Sequence, residues 1–203
     1  MKSILISIRP KWVAKILNGE KTIEIRKTAP KCELPVDVYI YCTEPHAKEV
    51  LSLFVPEVRP YVDGRAAEFI ERKRVDKPNM RWSICNGKVV AKFTLRKISE
   101  IVNEMRTDLD DSKYPSYFAA DMSEHKLLGN AYLTAWEIHN YLKLGKGYAW
   151  HIEDLEIFNQ PKKLDDFDYP NPSGTVYVGQ RSLNGLPSKK HPPQSWCYVE
   201  EKE

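Results

Sequence analysis

The sequence lacks long hydrophobic runs, paired cysteines and clustered histidines. The apolar run near the N-terminus, "SILISI", is far shorter than the roughly 18 residues of a membrane-spanning helix, and no small-residue cleavage site follows it. The four cysteines include no Cys-x-x-Cys pair, and the five histidines show no metal-ligand spacing. We therefore expect no export signal, membrane helix, metal or cofactor, and a cytoplasmic chain with reduced thiols.

Charge of neither sign dominates the chain. The 31 Lys+Arg residues and 28 Asp+Glu residues give a net charge of +3, which is too small to establish a nucleic-acid partner but allows a local basic patch. A Gly-rich phosphate loop and regular strand-helix alternation are both missing, which argues against a doubly wound sheet. No repeat, low-complexity tract or linker divides the sequence, so we predict one domain over residues 1–203.

The first 44 residues predict the order strand, helix, strand, strand. Apolar residues alternate in "SILISI", which is typical of a half-buried strand, and recur at helical spacing from Lys11 to Asn18. Gly19 lies where a left-handed residue would end that helix. Two further strands are predicted in "KTIEIRK" and "VDVYIYCTE".

The rest of the chain predicts several strands and few helices. We expect a short helix at Ala66–Arg74 and another near Leu133–Leu142. Strands are predicted in "GKVVAKFTLRKISEI", "YAWHIEDLEIF" and "SWCYVE", and a hairpin arm in "NPSGTVYVG". These elements favour an α+β fold, a small mixed or antiparallel β-barrel with helices at its ends.

The strand "KTIEIRK" carries a row of polar side chains. Because side chains alternate along a strand, Thr22, Glu24 and Arg26 share the face opposite to the two isoleucines. Lys21 lies at the mouth of the strand. The planar guanidinium of Arg26 suits a phosphate or a carboxylate. Glu24 could hold that guanidinium in place or accept a hydrogen bond from a base amino group. Alternatively, Glu24 and Arg26 form an ordinary surface pair worth at most about 1 kcal/mol.

Three blocks of the sequence resemble the ASCH domain family, which has a PUA-like fold. The frame "SILISIRPKWVAKILNGEKTIEIRK" resembles the start of that domain, a strand, a Pro-Trp-type helix start and then Gly-x-Lys-x-x-Glu-x-Arg. The matching residues are Pro10, Trp12, Gly19, Lys21, Glu24 and Arg26. "YAWHIEDLEIFNQPKKL" resembles the family's strand with a tryptophan and a final proline, through Trp150, Leu155, Phe158 and Pro161. The closing "PPQSWCYV" resembles phage and firmicute members.

The resemblance implies a compact barrel whose cleft, lined by the Gly-x-Lys-x-x-Glu-x-Arg strand, binds RNA or a small nucleoside. Arg9, Lys11, Lys15 and Lys27 would give this cleft a positive rim, of which we include Arg9 in the site. Lys21, Glu24 and Arg26 would contact the ligand.

Aromatic residues could stack on bases. Trp12 and Trp150 fit core positions, whereas Trp82 and Trp136 are ambiguous. Trp196 is the best stacking candidate because it follows a basic run and two prolines, although a surface loop that returns to a final core strand is the favoured interpretation even there. His151 is either a base near the cleft or a structural hydrogen-bonding residue.

Some small family members hydrolyse the acetyl group of N4-acetylcytidine with a lysine, a threonine and a glutamate. By resemblance, Lys21 matches the lysine, but Glu24 stands where those enzymes have the threonine, with Thr22 two residues earlier. Their glutamate could correspond to Glu124 or Glu137. A buried Lys21 beside a carboxylate would favour such chemistry, since burial lowers a lysine pKa, whereas an open basic groove would favour a polynucleotide.

Two segments exceed the minimal family domain, Pro56–Met80 and Asn103–Lys143. They allow a third interpretation, a phage-type accessory module in which these insertions bind another protein. That interpretation predicts a large exposed apolar patch on one of them.

Overall fold

The computed structural model describes residues 2–44, 49–53, 65–71, 83–107, 113–168 and 192–202. They fold into two compact units. Unit 1 comprises Met1–Asn18, Val36–Thr94 and Asp154–Glu203, and unit 2 comprises Gly19–Pro35 and Leu95–Glu153. Within the described ranges, no helix is long and apolar enough to cross a membrane.

Among the described residues strands predominate and three α-helices accompany them, so the predicted α+β class is confirmed. The strands are β1 (Ser3–Ile8), β2 (Ile23–Arg26), β3 (Val36–Cys42), β4 (Glu49–Leu53), β5 (Ala67–Glu71), β6 (Ser83–Ile84), β7 (Lys88–Leu95), β8 (Ile98–Thr107), β9 (Lys113–Ala119), β10 (Gly147–His151), β11 (Glu153–Lys162), β12 (Phe167–Asp168) and β13 (Trp196–Glu201). The helices are α1 (Pro10–Leu17), α2 (Glu124–Ala131) and α3 (Ala135–Leu142), with a 3-10 turn at Leu164–Asp166.

Unit 1 contains a six-stranded mixed sheet in the order β11-β7-β3-β1-β13-β12. Its centre is β1, which runs parallel to β3 and antiparallel to β13. All six residues of β1 are buried, so the expectation of a half-buried strand is wrong: as an inner strand of this sheet, β1 is covered on both faces. The core on this sheet contains Leu5, Tyr39, Tyr41, Val89, Phe158, Leu164, Phe167 and Val199.

Helix α1 begins with Pro10 at its first position and ends as the sequence predicts. Asn18 follows its last turn, and Gly19 has a φ of +73°, the left-handed conformation that glycine adopts without strain. The Asn18 side chain then reaches the smaller sheet of unit 1, whose order is β5-β4-β6. Its Oδ1 accepts from the N–H groups of Ala66 and Ala67 at 2.9 and 3.0 Å, and its Nδ2 donates to the Ala67 carbonyl at 3.0 Å.

The helix expected at Ala66–Arg74 is wrong, because Ala67–Glu71 forms strand β5. Strand β4 pairs with it along its whole length, from Ala67 opposite Leu53 to Glu71 opposite Glu49. The partner strand and the Asn18 side chain satisfy the backbone groups that a helix would have satisfied locally.

Unit 2 is built on a four-stranded antiparallel sheet in the order β2-β10-β8-β9. One face packs on α2 and α3, and both isoleucines of β2 lie in this core, as predicted. The core residues are Ile23, Ile25, Ile101, Tyr117, Ala119, Met122, Leu127, Ala131, Ile138, Leu142 and Ala149. Since β2 side chains alternate, Glu24 and Arg26 lie on the opposite face, where they pair with Trp150 and Tyr148 of β10.

The other expectations about elements are confirmed, corrected or left open as follows. The single strands expected in "GKVVAKFTLRKISEI" and "YAWHIEDLEIF" are each two strands, β7 with β8 and β10 with β11. Helix α3 confirms the helix expected near Leu133–Leu142, whereas α2 was not predicted. The hairpin arm at 171–179, the basic run at 189–191 and Trp82 lie outside the described residues.

Candidate functional site

The start of β2 is held by its backbone between α2 and β10. The Thr22 N–H donates to the Asn130 carbonyl at 2.9 Å, and the Thr22 carbonyl accepts from the Ile152 N–H at 2.9 Å. These two bonds place Lys21 beside the C-terminal turn of α2, whose last carbonyls lack partners within the helix.

Lys21 is almost completely buried, with 2% of its surface exposed. Its Nζ donates to the Ala131 carbonyl at 2.7 Å and lies 3.2 Å from Glu24 Oε2. The C-terminus of a helix carries partial negative charge, so both contacts favour the ammonium form.

Glu24 bridges two cations. Its Oε1 lies 3.2 Å from Arg26 Nη2, while its Oε2 meets Lys21. Glu24 and Arg26 are 8% and 7% exposed. We refer to Lys21, Glu24 and Arg26 as the triad. Strand alternation predicts Glu24 and Arg26 as neighbours, whereas Lys21, at the mouth of the strand, could have turned to either face and joins them through Glu24.

Burial lowers the pKa of Lys21 from the usual value of 10.5. The negative charges of Glu24 and Glu137 and the hydrogen bond to Glu24 raise the pKa and oppose this effect. The positive charge of Arg26 lowers the pKa further. The amine therefore loses its proton more readily than a surface lysine. Such an amine can act as a base or a nucleophile.

The family is shown by sequence comparison. A model of the ASCH domain matches residues 6–162. The chain belongs to the ASCH domain family. ASCH domains have a PUA-like fold, and the family is associated with RNA binding. No curated protein sequence gives a significant match.

Solved structures similar to this ASCH chain include three crystal structures of ASCH from Zymomonas mobilis. The first is 17% identical over 98% of this chain and 87% of that chain, with a TM-score of 0.49. The other two are mutant forms of the same protein, each 17% identical over 98% of this chain. The matches cover 91% and 88% of those chains, with TM-scores of 0.48 and 0.47. The specific resemblance to phage and firmicute ASCH members stays a prediction.

The roles of the other predicted site residues stay open. The Thr22 side chain is exposed. Arg9 and Trp196 belong to unit 1, where Arg9 is exposed before α1 and Trp196 is half-buried with its ring edge-on to Tyr198 at 5.5 Å. Their roles in ligand binding stay predictions.

Both glutamates considered as the third catalytic group of an ASCH hydrolase have structural partners. Glu124 Oε1 accepts from the Tyr117 N–H at 3.1 Å. Glu137 forms a capping box with Thr134, whose N–H donates to Glu137 Oε2 at 2.8 Å. Of the two, Glu137 is the one whose charge acts on Lys21.

Unit 2 of this ASCH domain also contains a polar cluster that the sequence did not reveal, formed by His151, Ser99, Asp121 and Lys97. Ser99 Oγ lies 3.2 Å from Asp121 Oδ2 and 3.0 Å from His151 Nε2, and the Lys97 ammonium contacts the same carboxylate. Since a hydroxyl has one proton and an ionised carboxylate is only an acceptor, Ser99 donates to Asp121 and His151 Nε2–H donates to Ser99.

The cluster comes from three separate parts of the chain, which explains why no sequence motif marks it. Within this cluster Ser99 is the hydrogen-bond partner of His151, as either a structural or a functional histidine requires. Among the described residues, no group of three or more His, Cys, Asp or Glu side chains could hold a metal ion.

Proposed function

We propose that this ASCH domain binds RNA or a modified nucleoside through the triad of unit 2. The observation that carries the proposal is the chain of contacts from Lys21 through Glu24 to Arg26, on the positions of the Gly-x-Lys-x-x-Glu-x-Arg motif. Lys21 and Arg26 would take carbonyl or anionic groups, and Glu24 would orient Arg26 or accept from a base amino group.

Burial favours recognition of one small group rather than of the phosphate backbone. Each member of the triad is less than one-tenth exposed, whereas backbone-tracking grooves present exposed cations. We therefore expect the triad to distinguish nucleosides by the polar edge of the base.

Binding to the wild type and to variants tests this proposal. Calorimetry would compare a short RNA, cytidine and N4-acetylcytidine on the wild type, Lys21→Ala and Arg26→Ala, with urea unfolding as the folding control. We expect weaker binding in both variants. Because these side chains are buried, Lys21→Arg and Arg26→Lys provide milder changes if the alanine variants do not fold. Unchanged affinity in folded variants would contradict the proposal.

Amide hydrolysis is a second candidate, favoured by the lowered pKa of a buried lysine beside a carboxylate. On N4-acetylcytidine, neutral Lys21 would take a proton from water as the water oxygen bonds to the acetyl carbon. Arg26 would meet the developing oxyanion, and the proton would pass by way of Glu24 to the departing amino nitrogen. The products are acetate and cytidine.

Acetate release from N4-acetylcytidine, followed by chromatography, tests the second candidate. We expect turnover in the wild type and none in Lys21→Met, which keeps the bulk of the side chain without its amine. The rate should rise with pH through the Lys21 pKa, since the neutral amine is the base. Equal turnover in wild type and Lys21→Met would exclude Lys21 as the base.

A further inference from the structure

The turn between α3 and β10 holds two adjacent residues in an unfavourable backbone conformation. Lys143 and Leu144 have φ angles of +50° and +61°, in the left-handed region that side chains other than glycine rarely adopt. The turn leaves Leu144 55% exposed. Lys143 caps the C-terminus of α3, where a left-handed residue is common, so the feature that distinguishes this turn is the exposure of its side chains.

Three exposed lysines surround this turn. Lys143 lies in it, and Lys146 follows with 78% of its side chain exposed. The register that pairs Arg26 with Tyr148 brings exposed Lys27, the next residue after β2, beside Gly147. Glu100, 3.8 Å from Lys146, offsets one of the three charges.

An aromatic ring lies in the same surface. Tyr141, in the last turn of α3, is 37% exposed, and Lys27 Nζ lies 5.1 Å from its ring centroid. An ammonium over an aromatic ring is a cation–π contact, and it keeps the charge beside a surface on which a base can stack.

We propose that this basic-aromatic patch, formed by Lys27, Tyr141, Lys143, Leu144 and Lys146, binds single-stranded RNA. The lysines contact phosphates, and Tyr141 with Leu144 contacts an unpaired base. This inference rests on the proposed function, because the patch provides the exposed phosphate contacts that the buried triad does not offer.

Charge and shape favour this partner over a duplex. Three positive charges against one negative charge complement a phosphate backbone. An exposed ring needs an unstacked base, which single strands provide and base-paired helices do not.

Salt-dependent fluorescence anisotropy with a short labelled single-stranded RNA tests the patch. The first variant replaces Lys27, Lys143 and Lys146 by Gln. The matched control replaces Lys31, Lys113 and Lys126 by Gln; these lysines are exposed on unit 2 outside the patch, so the net charge is the same. We expect the patch variant to bind at least about tenfold more weakly at low salt. Its slope of log affinity against log salt should be smaller by about 2, at about 0.7 per lost contact.

Substitution of Tyr141 separates stacking from charge. Tyr141→Ala should weaken binding about tenfold without changing the salt slope, and Tyr141→Phe, which keeps the ring, should bind like the wild type. An equal loss in Tyr141→Phe and Tyr141→Ala would contradict the stacking role.

The outcomes distinguish failure of the patch from failure of the triad. Equal effects of the patch and control lysine variants would overturn the patch while leaving the triad. The patch would also be overturned if the wild type bound nucleosides but not RNA, or if it bound anionic lipid vesicles and not RNA. A wild type that binds neither nucleosides nor RNA would overturn both proposals.

Discussion

At the scale of single residues, Glu24 determines whether the triad stabilises the fold. Its carboxylate lies between the buried Lys21 and Arg26 side chains, so neutralising it leaves two cations close together with little solvent. We expect Glu24→Gln to lower the free energy of unfolding by about 3 to 5 kcal/mol, because removing one partner leaves buried charge uncompensated. Urea unfolding measures this loss.

A matched variant separates charge from packing at the same positions. Replacing the whole triad, as Lys21→Met, Glu24→Leu and Arg26→Met together, removes all three charges and retains apolar volume. We expect this triple variant to be more stable than Glu24→Gln alone. A loss below about 1 kcal/mol in Glu24→Gln would show that the two cations do not depend on the carboxylate.

The triad also shows what sequence could predict about single residues. Alternation on β2 indicated that Glu24 and Arg26 would be neighbours, and the motif spacing added Lys21, whereas Thr22, expected on the same face, has an exposed side chain. The Ala131 carbonyl, which fixes the Lys21 amine at 2.7 Å, was not predictable because it is brought there by α2, an element with a weak pattern.

His151 predicts a pH dependence of stability. Burial lowers its pKa from 6.5 and Lys97 adds to this, while Asp121 and Glu153 oppose it and Lys126 lowers it slightly. Below pH 6.5 the unfolded chain therefore binds a proton before the folded chain does. The free energy of unfolding should fall as pH falls below 6.5 and level off below the folded-state pKa.

Urea titrations at a series of pH values test this behaviour, with His151→Gln as the comparison. The Gln amide nitrogen can replace Nε2–H as the donor to Ser99, but it does not titrate. We expect the variant to lose the decline between pH 6.5 and the folded-state pKa. The same decline in both proteins would assign the effect to another group.

At the scale of elements, local pattern predicted β1, α1, β2 and α3 but failed where distant partners decide. The segment that forms β5, "AEFIE", contains good helix formers, yet β4 and Asn18 hold it extended. Helix α2 buries only Leu127 and Ala131, so it lacks the strong apolar stripe that identifies a helix in sequence.

Asn18 should control how firmly the small sheet of unit 1 is held on α1. Its side chain makes three hydrogen bonds to Ala66 and Ala67, and Asn18→Ala removes all three. We expect a loss of about 1 to 3 kcal/mol, confined mainly to the backbone of β5. Hydrogen exchange at Ala66 and Ala67 measures it, with Asn18→Asp, which keeps both acceptor bonds, as the milder variant. Unchanged exchange at these two amides in Asn18→Ala would contradict the role.

At the scale of the whole molecule, both units are assembled from segments far apart in sequence. Unit 2 consists of two segments and unit 1 of three, so their composition could not be read from a linear pass. Strand pairings between such distant segments, for example Ser3 with Val199, depend on global topology rather than on local propensity. The prediction of one domain over the whole chain is not decided by this division.

The last strand tests how far unit 1 depends on its chain ends. β13 lies between β1 and β12, Val199 is completely buried, and the Tyr39 hydroxyl donates to Glu201 at 2.7 Å. Deleting residues 196–203 exposes one edge of β1 and opens the core, so we expect the cooperative thermal transition of unit 1 to be lost. Deleting only residues 202 and 203 is the control, because it leaves β13 intact. A synthetic peptide of residues 192–203 should restore the transition, because an added strand can replace the missing pairing. A truncated chain that melts like the wild type would show that β1 does not need β13.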